Sequence, residues 1–151
     1  MTGLKPVMSV EALEDFMARE FPQMREGGAL TRIEAVGPGF ARLRLAFAER
    51  NLRPGGTISG PAMMALADYA MYAAVLAHIG PVALAVTTNL SINFLRKPRP
   101  AEIIGEARLL KLGRALAVGE ISMWQEGAEG EPVAHAVSTY SIPPKQANGV
   151  L

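Results

Sequence analysis

The stretch from Asn51 to Gly80 decides the fold: Asn51-Leu-Arg-Pro-Gly-Gly-Thr-Ile-Ser-Gly60-Pro-Ala-Met-Met-Ala-Leu-Ala-Asp68-Tyr-Ala-Met-Tyr-Ala-Ala-Val-Leu-Ala-His-Ile-Gly80. Its first part is rich in glycine, and its second part predicts a helix that is apolar on almost every side. Such a helix must be buried over most of its surface. We therefore expect it at the centre of the molecule.

The start of this helix has the chemistry of an anion-binding site. Ser59 is a good N-cap, and Pro61 suits the first turn, where its missing N–H is not needed. Gly60 lies between them, so its backbone N–H has no acceptor inside the helix and lies at the positive end of the helix dipole. An N–H in this position can stabilise a developing oxyanion.

Asp68 is the only carboxylate in the helix. An ionised carboxylate is costly to bury unless it is paired or hydrogen-bonded, and such groups often mark functional sites. One interpretation is a catalytic base or nucleophile. The other is that Asp68 lies near a helix end or a subunit boundary and contacts water.

The spacing of Gly60 and Asp68 limits how a site could be built. The two positions are about 12 Å apart along the helix axis, because each residue adds 1.5 Å. One carbonyl group cannot contact both across that distance. If both act on one bond, the site is shared between two copies of the chain.

Composition narrows the class of protein. A formal charge of +1 and a pI of about 8.1 leave no strong electrostatic footprint for nucleic acid. The absence of cysteine excludes disulfides, thiolate metal sites and cysteine nucleophiles. The sequence shows no signal-peptide pattern and no apolar run of membrane length without a charge or breaker. We expect a single cytoplasmic domain over residues 1–151, with no nucleic-acid or membrane partner.

Two histidines, His78 and His135, are the only ones in the chain. Neither has an acidic or hydroxyl neighbour in sequence to form a triad, so we expect both to be structural. No spacing of the His-Glu-x-x-His kind is present, and we expect no metal site.

Periodicity predicts the remaining elements. Ser9 to Phe21 predicts a first helix with Ser9 as its N-cap. Alternation of period 2 predicts the strands Leu30 to Val36, Phe40 to Ala48, Val86 to Phe94, Glu102 to Leu110, Ala115 to Gln125 and Pro132 to Ile142. Antiparallel strands after a buried helix indicate an α+β fold, with one strongly curved sheet wrapped around that helix.

The strand after the long helix is unusual because one of its predicted faces is made of small polar residues. That face holds Thr87, Asn89, Ser91 and Asn93. The other face holds Val86, Thr88, Leu90, Ile92 and Phe94. The polar face suits a wet interface or a polar ligand cleft, and an ordinary solvent-exposed face is the alternative.

Several short stretches occur in a fairly specific order. They are Gly55-Gly-Thr-Ile-Ser-Gly-Pro61, Leu66-Ala-Asp-Tyr-Ala70, Thr87-Thr-Asn-Leu-Ser-Ile-Asn-Phe-Leu-Arg-Lys-Pro98, Gly105-Glu-Ala107, Gly113-Arg114 and Ala136-Val-Ser-Thr-Tyr140. From about residue 30 to residue 143, this set resembles hotdog-fold thioesterases of the phenylacetate-degradation (PaaI-like) type. The resemblance implies a hotdog fold, an antiparallel sheet around one central helix, here with an extra N-terminal helix.

The resemblance also implies an activity. Members of the family cleave acyl-coenzyme A thioesters, with a helical carboxylate as general base or nucleophile and a loop glycine N–H as oxyanion hole. By position these groups are Asp68 and Gly60. Family members form dimers with sites across the subunit boundary, usually paired into tetramers, so Gly60 of one subunit would act with Asp68 of the other.

Further residues follow from the resemblance. The family asparagine matches Asn51 loosely, because the loop is longer here. The hydroxyl residue that positions the attacking water matches Thr87, with Thr88 and Asn89 as alternatives. No separate cofactor is implied, since coenzyme A is part of the substrate.

Five side chains are candidates for binding the substrate itself. Arg96, Lys97 and Arg114, together with Arg99, could contact the phosphates of coenzyme A, because cations at a cleft rim suit phosphates. A solvated turn is the alternative for these cations. Met64 could line a pocket for the acyl chain, where a flexible side chain accepts varied shapes, or belong to the core.

The chain departs from the family pattern at the helix start. The family histidine position holds Ser59, and the second glycine position holds Pro61. Ser59 can cap the helix and hydrogen-bond a carbonyl, but it cannot carry a proton near neutral pH. Two alternatives to hydrolysis follow: a non-catalytic acyl or acyl-CoA binding protein, and a hotdog dehydratase or isomerase, which would need a catalytic histidine.

Overall fold

The structure, a computed structural model, describes residues 3–22, 31–48, 52–54 and 56–144. In chain order its elements are α1 Val10–Glu20, β1 Thr31–Gly37, β2 Phe40–Leu45, β3 Leu52–Arg53, β4 Thr57–Ile58, α2 Gly60–Ile79, β5 Val86–Phe94, β6 Ile103–Leu112, β7 Leu116–Trp124 and β8 Ala134–Ser141. The six longer strands form one antiparallel sheet in the order β1-β2-β6-β7-β8-β5.

Helix α2 is the centre of this fold. Ser59 caps it as predicted, accepting a hydrogen bond from the N–H of Ala62 at 3.3 Å. The helix is long and apolar enough to span a membrane by composition alone, but 67% of its most apolar 18-residue window is buried inside the protein. The sheet that covers it therefore accounts for its apolar surface, and the predicted α+β hotdog fold is confirmed.

Two glycines allow the sheet to approach α2 closely. A Cβ atom on Gly105 of β6 would lie 2.9 Å from the side chain of Leu66. A Cβ atom on Gly119 of β7 would lie 2.6 Å from Met71 Sδ and 2.9 Å from the backbone oxygen of Arg108. The helix thus rests against strand backbone at these points, where any side chain would hold the two layers apart.

Helix α1 covers the β1 edge of the sheet. It begins with the predicted cap, since Ser9 Oγ accepts from the N–H of Ala12 at 3.1 Å. Leu13 and Met17 are buried in the core. Glu14 accepts a hydrogen bond from the backbone N–H of Ile33 in β1 at 2.6 Å. One edge of the sheet is therefore occupied from within the chain.

His78 joins the end of α2 to the turn between β1 and β2. Its Nε2 accepts from the N–H of Gly39 at 2.9 Å, and its Nδ1 lies 2.7 Å from the carbonyl oxygen of Ala74. The neutral ring protonated on Nδ1 satisfies both contacts. The structural role expected for His78 agrees with this geometry.

The predicted alternation along β5 is wrong at its first residues. Between Thr87 and Asn89 the pairing with β8 advances two residues on β5 but only one on β8, so Thr88 is the extra residue of a bulge. The bulge shifts the alternation by one residue. Thr87 consequently faces α2 together with Leu90, instead of facing outward with Asn89.

Other boundaries also need correction. The second strand was predicted to reach Ala48 but ends at Leu45. The glycine-rich loop contains a short antiparallel pair, β3 and β4, which has too few residues for a period-2 pattern to reveal it. Leu30, the predicted start of the first strand, lies outside the described residues. The strands β6, β7 and β8 lie within two residues of their predicted bounds.

We predict that Gly119→Ala destabilises the protein by about 1–3 kcal/mol, the usual cost of overpacking a well-packed interior. The cost arises because the backbone oxygen of Arg108, unlike a flexible side chain, cannot move aside. Gly130→Ala is the matched control, since a Cβ atom there meets nothing within 4 Å. Urea denaturation of both variants measures the difference. Equal stabilities would contradict the tight fit of Gly119 against Arg108 of β6 and Met71 of α2.

Candidate active site

The carboxylate of Asp68 meets a hydroxyl from the edge strand. Thr87 Oγ1 donates a hydrogen bond to Asp68 Oδ1 at 2.5 Å. The bulge at Thr88 makes this contact possible, because it turns Thr87 towards α2. Two residues predicted to act together, Asp68 and Thr87, are therefore adjacent.

A tyrosine from β8 completes the surroundings of this carboxylate. Tyr140 lies opposite Thr87 in the strand pairing, and its hydroxyl is 3.0 Å from Asp68 Oδ1. The same hydroxyl is 3.2 Å from the backbone oxygen of Asp68. Tyr140 is only 2% exposed, so its hydroxyl has the carboxylate in place of bulk water.

Aromatic rings surround this end of the site. Phe21 packs edge-on against Tyr69 with ring centroids 5.5 Å apart, and against Tyr72 at 5.8 Å. Tyr72 in turn packs against Tyr140 at 6.1 Å. Burial raises the pKa of Tyr140 well above its usual range, and the nearby charge of Asp68 raises it further. The pKa of Tyr69 is raised by the same two causes.

The helix start forms a second group of candidate residues. Gly60 is the first residue of α2, and the ring of Phe94 at the end of β5 packs against it. A Cβ atom on Gly60 would lie 3.3 Å from Phe94 Cζ. Glycine is thus suited to this position because a side chain would crowd Phe94, and not because the backbone is left-handed.

A cavity of about 590 Å³ opens at this helix start. Its apolar side includes Ile58, Met63 and Phe94. Among the described residues, three cations and no carboxylate line it: Arg53, Arg96 and Lys97. Together with the positive end of the α2 dipole, these cations make the cavity suited to an anionic ligand.

The two groups lie at opposite ends of β5. Thr87, beside Asp68, is near one end, and Phe94, beside Gly60, is the last residue of the strand. Six residues lie between Thr87 and Phe94, and the seven steps along the strand correspond to about 23 Å. Within one protomer, therefore, the carboxylate and the helix start do not face the same bond.

The other predicted site residues lie elsewhere. Thr88 donates to the carbonyl oxygen of Thr139 at 3.2 Å, and Asn89 is exposed on the outer side of β5. Arg114 is exposed in the β6–β7 turn, and Met64 is 41% exposed on α2; neither is among the residues that line the cavity. Asn51 lies outside the described residues.

The sequence reasoning missed three residues of these two groups: Arg53, Phe94 and Tyr140. Tyr140 had a visible signal, since it is the one tyrosine in the final predicted strand. Its partner could not be identified without the β5–β8 pairing. Arg53 and Phe94 are distant in sequence and meet only because β5 ends beside the start of α2.

Comparisons with known proteins identify the family of this chain. The profile of the thioesterase superfamily matches residues 55–131. A Saccharolobus solfataricus protein assigned as an esterase is 30% identical over 122 residues, which cover 81% of this chain and 79% of that protein.

Two crystal structures of proteins assigned as thioesterases are also similar. One, from Silicibacter sp. TM1040, is 50% identical with a TM-score of 0.84, covering 94% of this chain and 96% of that one. The other, a phenylacetic acid degradation-related protein of Ralstonia eutropha JMP134, is 27% identical with a TM-score of 0.70, covering 77% and 87%. The chain belongs to the thioesterase superfamily, and its resemblance to the PaaI-like type is confirmed.

We predict that the free energy of unfolding falls as the pH rises above about 10, the ordinary tyrosine value. The folded state holds the Tyr140 proton more tightly than the unfolded chain does, because its pKa is raised. The stabilisation is therefore complete below pH 10 and is lost above it, at up to about 1.4 kcal/mol per pH unit for one group.

Urea denaturation between pH 8 and pH 11.5 measures this slope. In Tyr140→Phe the slope should be smaller, while the raised pKa values of Tyr69 and Tyr72 leave part of it in place. An unchanged slope in the variant would show that Tyr140 does not contribute.

Proposed function

We propose that this protein hydrolyses an acyl-CoA thioester at sites shared between two subunits. The observation that carries the proposal is the position of two complementary groups at opposite ends of one open edge strand. Asp68 and Thr87 lie at one end, and Gly60 with its cationic cavity lies at the other.

Asp68 and Thr87 activate the attacking water. Thr87 donates its hydroxyl proton to Asp68, so towards a water molecule the hydroxyl can only accept. A water that donates one proton to Thr87 and the other to Asp68 has a lone pair free to attack the thioester carbonyl. Asp68 then takes the proton as the new C–O bond forms. Direct attack by Asp68 is the alternative, and incorporation of ¹⁸O from water into the carboxylate would identify it.

The helix start supplies the oxyanion hole. As the carbonyl becomes tetrahedral, its oxygen gains negative charge that the Gly60 N–H and the α2 dipole can stabilise. Collapse of this intermediate breaks the C–S bond and releases coenzyme A as a thiolate, which the protonated Asp68 can neutralise. Ser59 caps the helix in this scheme and holds the Gly60 peptide in place.

The edge of β5 suits pairing with a second copy. It contains nine residues and no charge, whereas edge strands are normally protected by charged side chains, proline or a covering element. Within the described ranges, β5 has a neighbour on one side only, β8. Val86 and Phe94, near its two ends, are 52% and 50% exposed.

Antiparallel pairing of two β5 strands would build both sites at once. If the two-fold axis passes near Leu90, the middle of the strand, Thr87 of one subunit lies opposite Asn93 of the other. Asp68 of the first subunit then approaches the Phe94 end of the second, where Gly60 lies. The roughly 12 Å separation along α2 ceases to be an obstacle, because each site takes one group from each subunit.

The cavity at Gly60 is the proposed position of coenzyme A. Its phosphates would be bound by Arg53, Arg96 and Lys97 as charge-assisted contacts. Arg96 already donates to the carbonyl oxygen of Pro132 at 2.9 Å, which fixes its stem beside the cavity. The proposed enzyme needs no further cofactor, works in the cytoplasm and can pair its dimers into tetramers.

The dehydratase alternative has little support from the histidines. Both ring nitrogens of His78 contact backbone groups, and His135 Nε2 lies 3.2 Å from Glu120. Neither contacts Asp68 in the protomer. The non-catalytic binding alternative rests on Ser59, which leaves Asp68 as the only proton carrier among the predicted catalytic residues.

We predict that Asp68→Asn reduces thiol release from acyl-CoA by about 10² to 10⁴, the usual contribution of a general base. The substitution keeps the shape and removes the basic oxygen. A panel of short, medium, long and aryl acyl-CoAs with a thiol-reactive dye measures the rate and the preferred acyl group. Asp15→Asn, an exposed aspartate on α1, is the control and should keep full activity.

Two results would count against this proposal. A loss of less than about tenfold in Asp68→Asn would remove Asp68 from the role of base. Acyl-CoA binding without turnover by the unaltered protein would favour the binding alternative, with serine in place of the family histidine as its cause.

We also predict that mixed dimers regain activity. One subunit carries Asp68→Asn, and the other carries Gly60→Val, which places a branched side chain against Phe94 and obstructs the oxyanion hole. A shared site leaves one of the two sites intact, so about half of the activity should return in dimers co-purified through two tags. A dimer with Asp68→Asn in both subunits is the control. No recovery, or an active monomer in sedimentation, would contradict the shared site.

A further inference from the structure

The carboxylate of Asp68 is held on one oxygen only. Both hydroxyl donors, Thr87 at 2.5 Å and Tyr140 at 3.0 Å, point to Oδ1. No donor among the described residues is placed on Oδ2. The two oxygens of this carboxylate are therefore in different surroundings, and only one of them is available to a reactant.

We propose that Tyr140 is a positioning residue that fixes the Asp68 carboxylate so that Oδ2 faces the thioester and its water. This inference rests on the proposed hydrolytic function and adds to it. It assigns the orientation of the base to a residue that does not contact the substrate.

The geometry around Tyr140 suits a fixed holder. Its hydroxyl contacts both Oδ1 and the backbone oxygen of Asp68. One group therefore holds the carboxylate in position relative to the backbone of the same residue. The ring is packed against Tyr72 and is 2% exposed. Tyr140 is carried by β8, which is paired on both sides by β7 and β5, whereas Thr87 lies on the edge strand β5.

The phenol also remains a donor throughout the working range of pH. Burial and the charge of Asp68 raise the pKa of Tyr140 well above its usual range, so the hydroxyl keeps its proton. The titratable and polar groups that face Asp68 come from three elements: Tyr69 from α2, Thr87 from β5 and Tyr140 from β8. Among these described neighbours no cation competes for the carboxylate.

The orientation has a chemical consequence. Two donors on Oδ1 leave Oδ2 as the oxygen that is free to accept a hydrogen bond from the attacking water. Without Tyr140 the carboxylate can rotate about its Cβ–Cγ bond and spend part of its time with neither oxygen directed at the water. The expected defect is thus in kcat rather than in substrate binding.

The test compares Tyr140→Phe with Tyr72→Phe. Tyr72 is a buried tyrosine in the same cluster, but its hydroxyl donates to the carbonyl oxygen of Ala83 at 3.2 Å. We expect Tyr140→Phe to lower kcat about tenfold, with KM changed less than twofold. Tyr72→Phe should leave both constants unchanged.

A double-mutant cycle separates positioning from general structure. In the Asp68→Asn background, Tyr140→Phe should have no further effect on the residual rate, because Tyr140 acts through the carboxylate. An equal loss in both backgrounds, or a matching loss in Tyr72→Phe, would overturn the proposal.

A measurement that requires no catalysis keeps this test independent of the proposed function. ¹³C NMR of the Asp68 carboxyl at a fixed pH should show a changed chemical shift in Tyr140→Phe and an unchanged one in Tyr72→Phe, because only Tyr140 donates to this carboxylate. If Tyr140→Phe does not fold, 3-fluorotyrosine placed at position 140 makes a stronger donor, and the chemical shift should again change. An unchanged chemical shift refutes the hydrogen bond even if acyl-CoA is hydrolysed, whereas a changed one without hydrolysis refutes only the function.

Discussion

The structure depends on one constraint: the apolar surface of α2 must be buried. A 20-residue helix that is apolar on nearly all sides can be buried only by a sheet that curls around it. Gly105 and Gly119 let that sheet come close enough, and the curl brings β5 and β8 to the side of the helix that carries Asp68. The single carboxylate of α2 is tolerated there because two hydroxyls from these strands donate hydrogen bonds to its Oδ1.

The same wrapping separates the two chemical groups. Because β5 runs along α2, one end of the strand meets the middle of the helix and the other meets its start. Hydroxyls and aromatic rings surround the Asp68 carboxylate, whereas cations and an open cavity lie at the helix start. Each group lacks what the other provides, which is why the proposed hydrolysis takes one group from each of two subunits.

Much of this could be predicted from sequence because it depends on local patterns. The caps at Ser9 and Ser59, the long apolar helix and five strand positions follow from spacing and residue type alone. The bulge at Thr88 could not be predicted, since a bulge depends on the partner strand. Tyr140 was missed for the same reason: its role exists only through a contact with a residue 72 positions earlier.

The pairing of β5 has a consequence for how the chain is made. Its only neighbour in the described sheet is β8, which begins at Ala134, 40 residues after β5 ends at Phe94. During synthesis, an uncharged strand therefore leaves the ribosome well before the strand that will cover one of its sides. Such a strand can pair wrongly with other nascent chains until β8 arrives. Prompt folding in the cell then depends on how quickly residues 95–141 are translated.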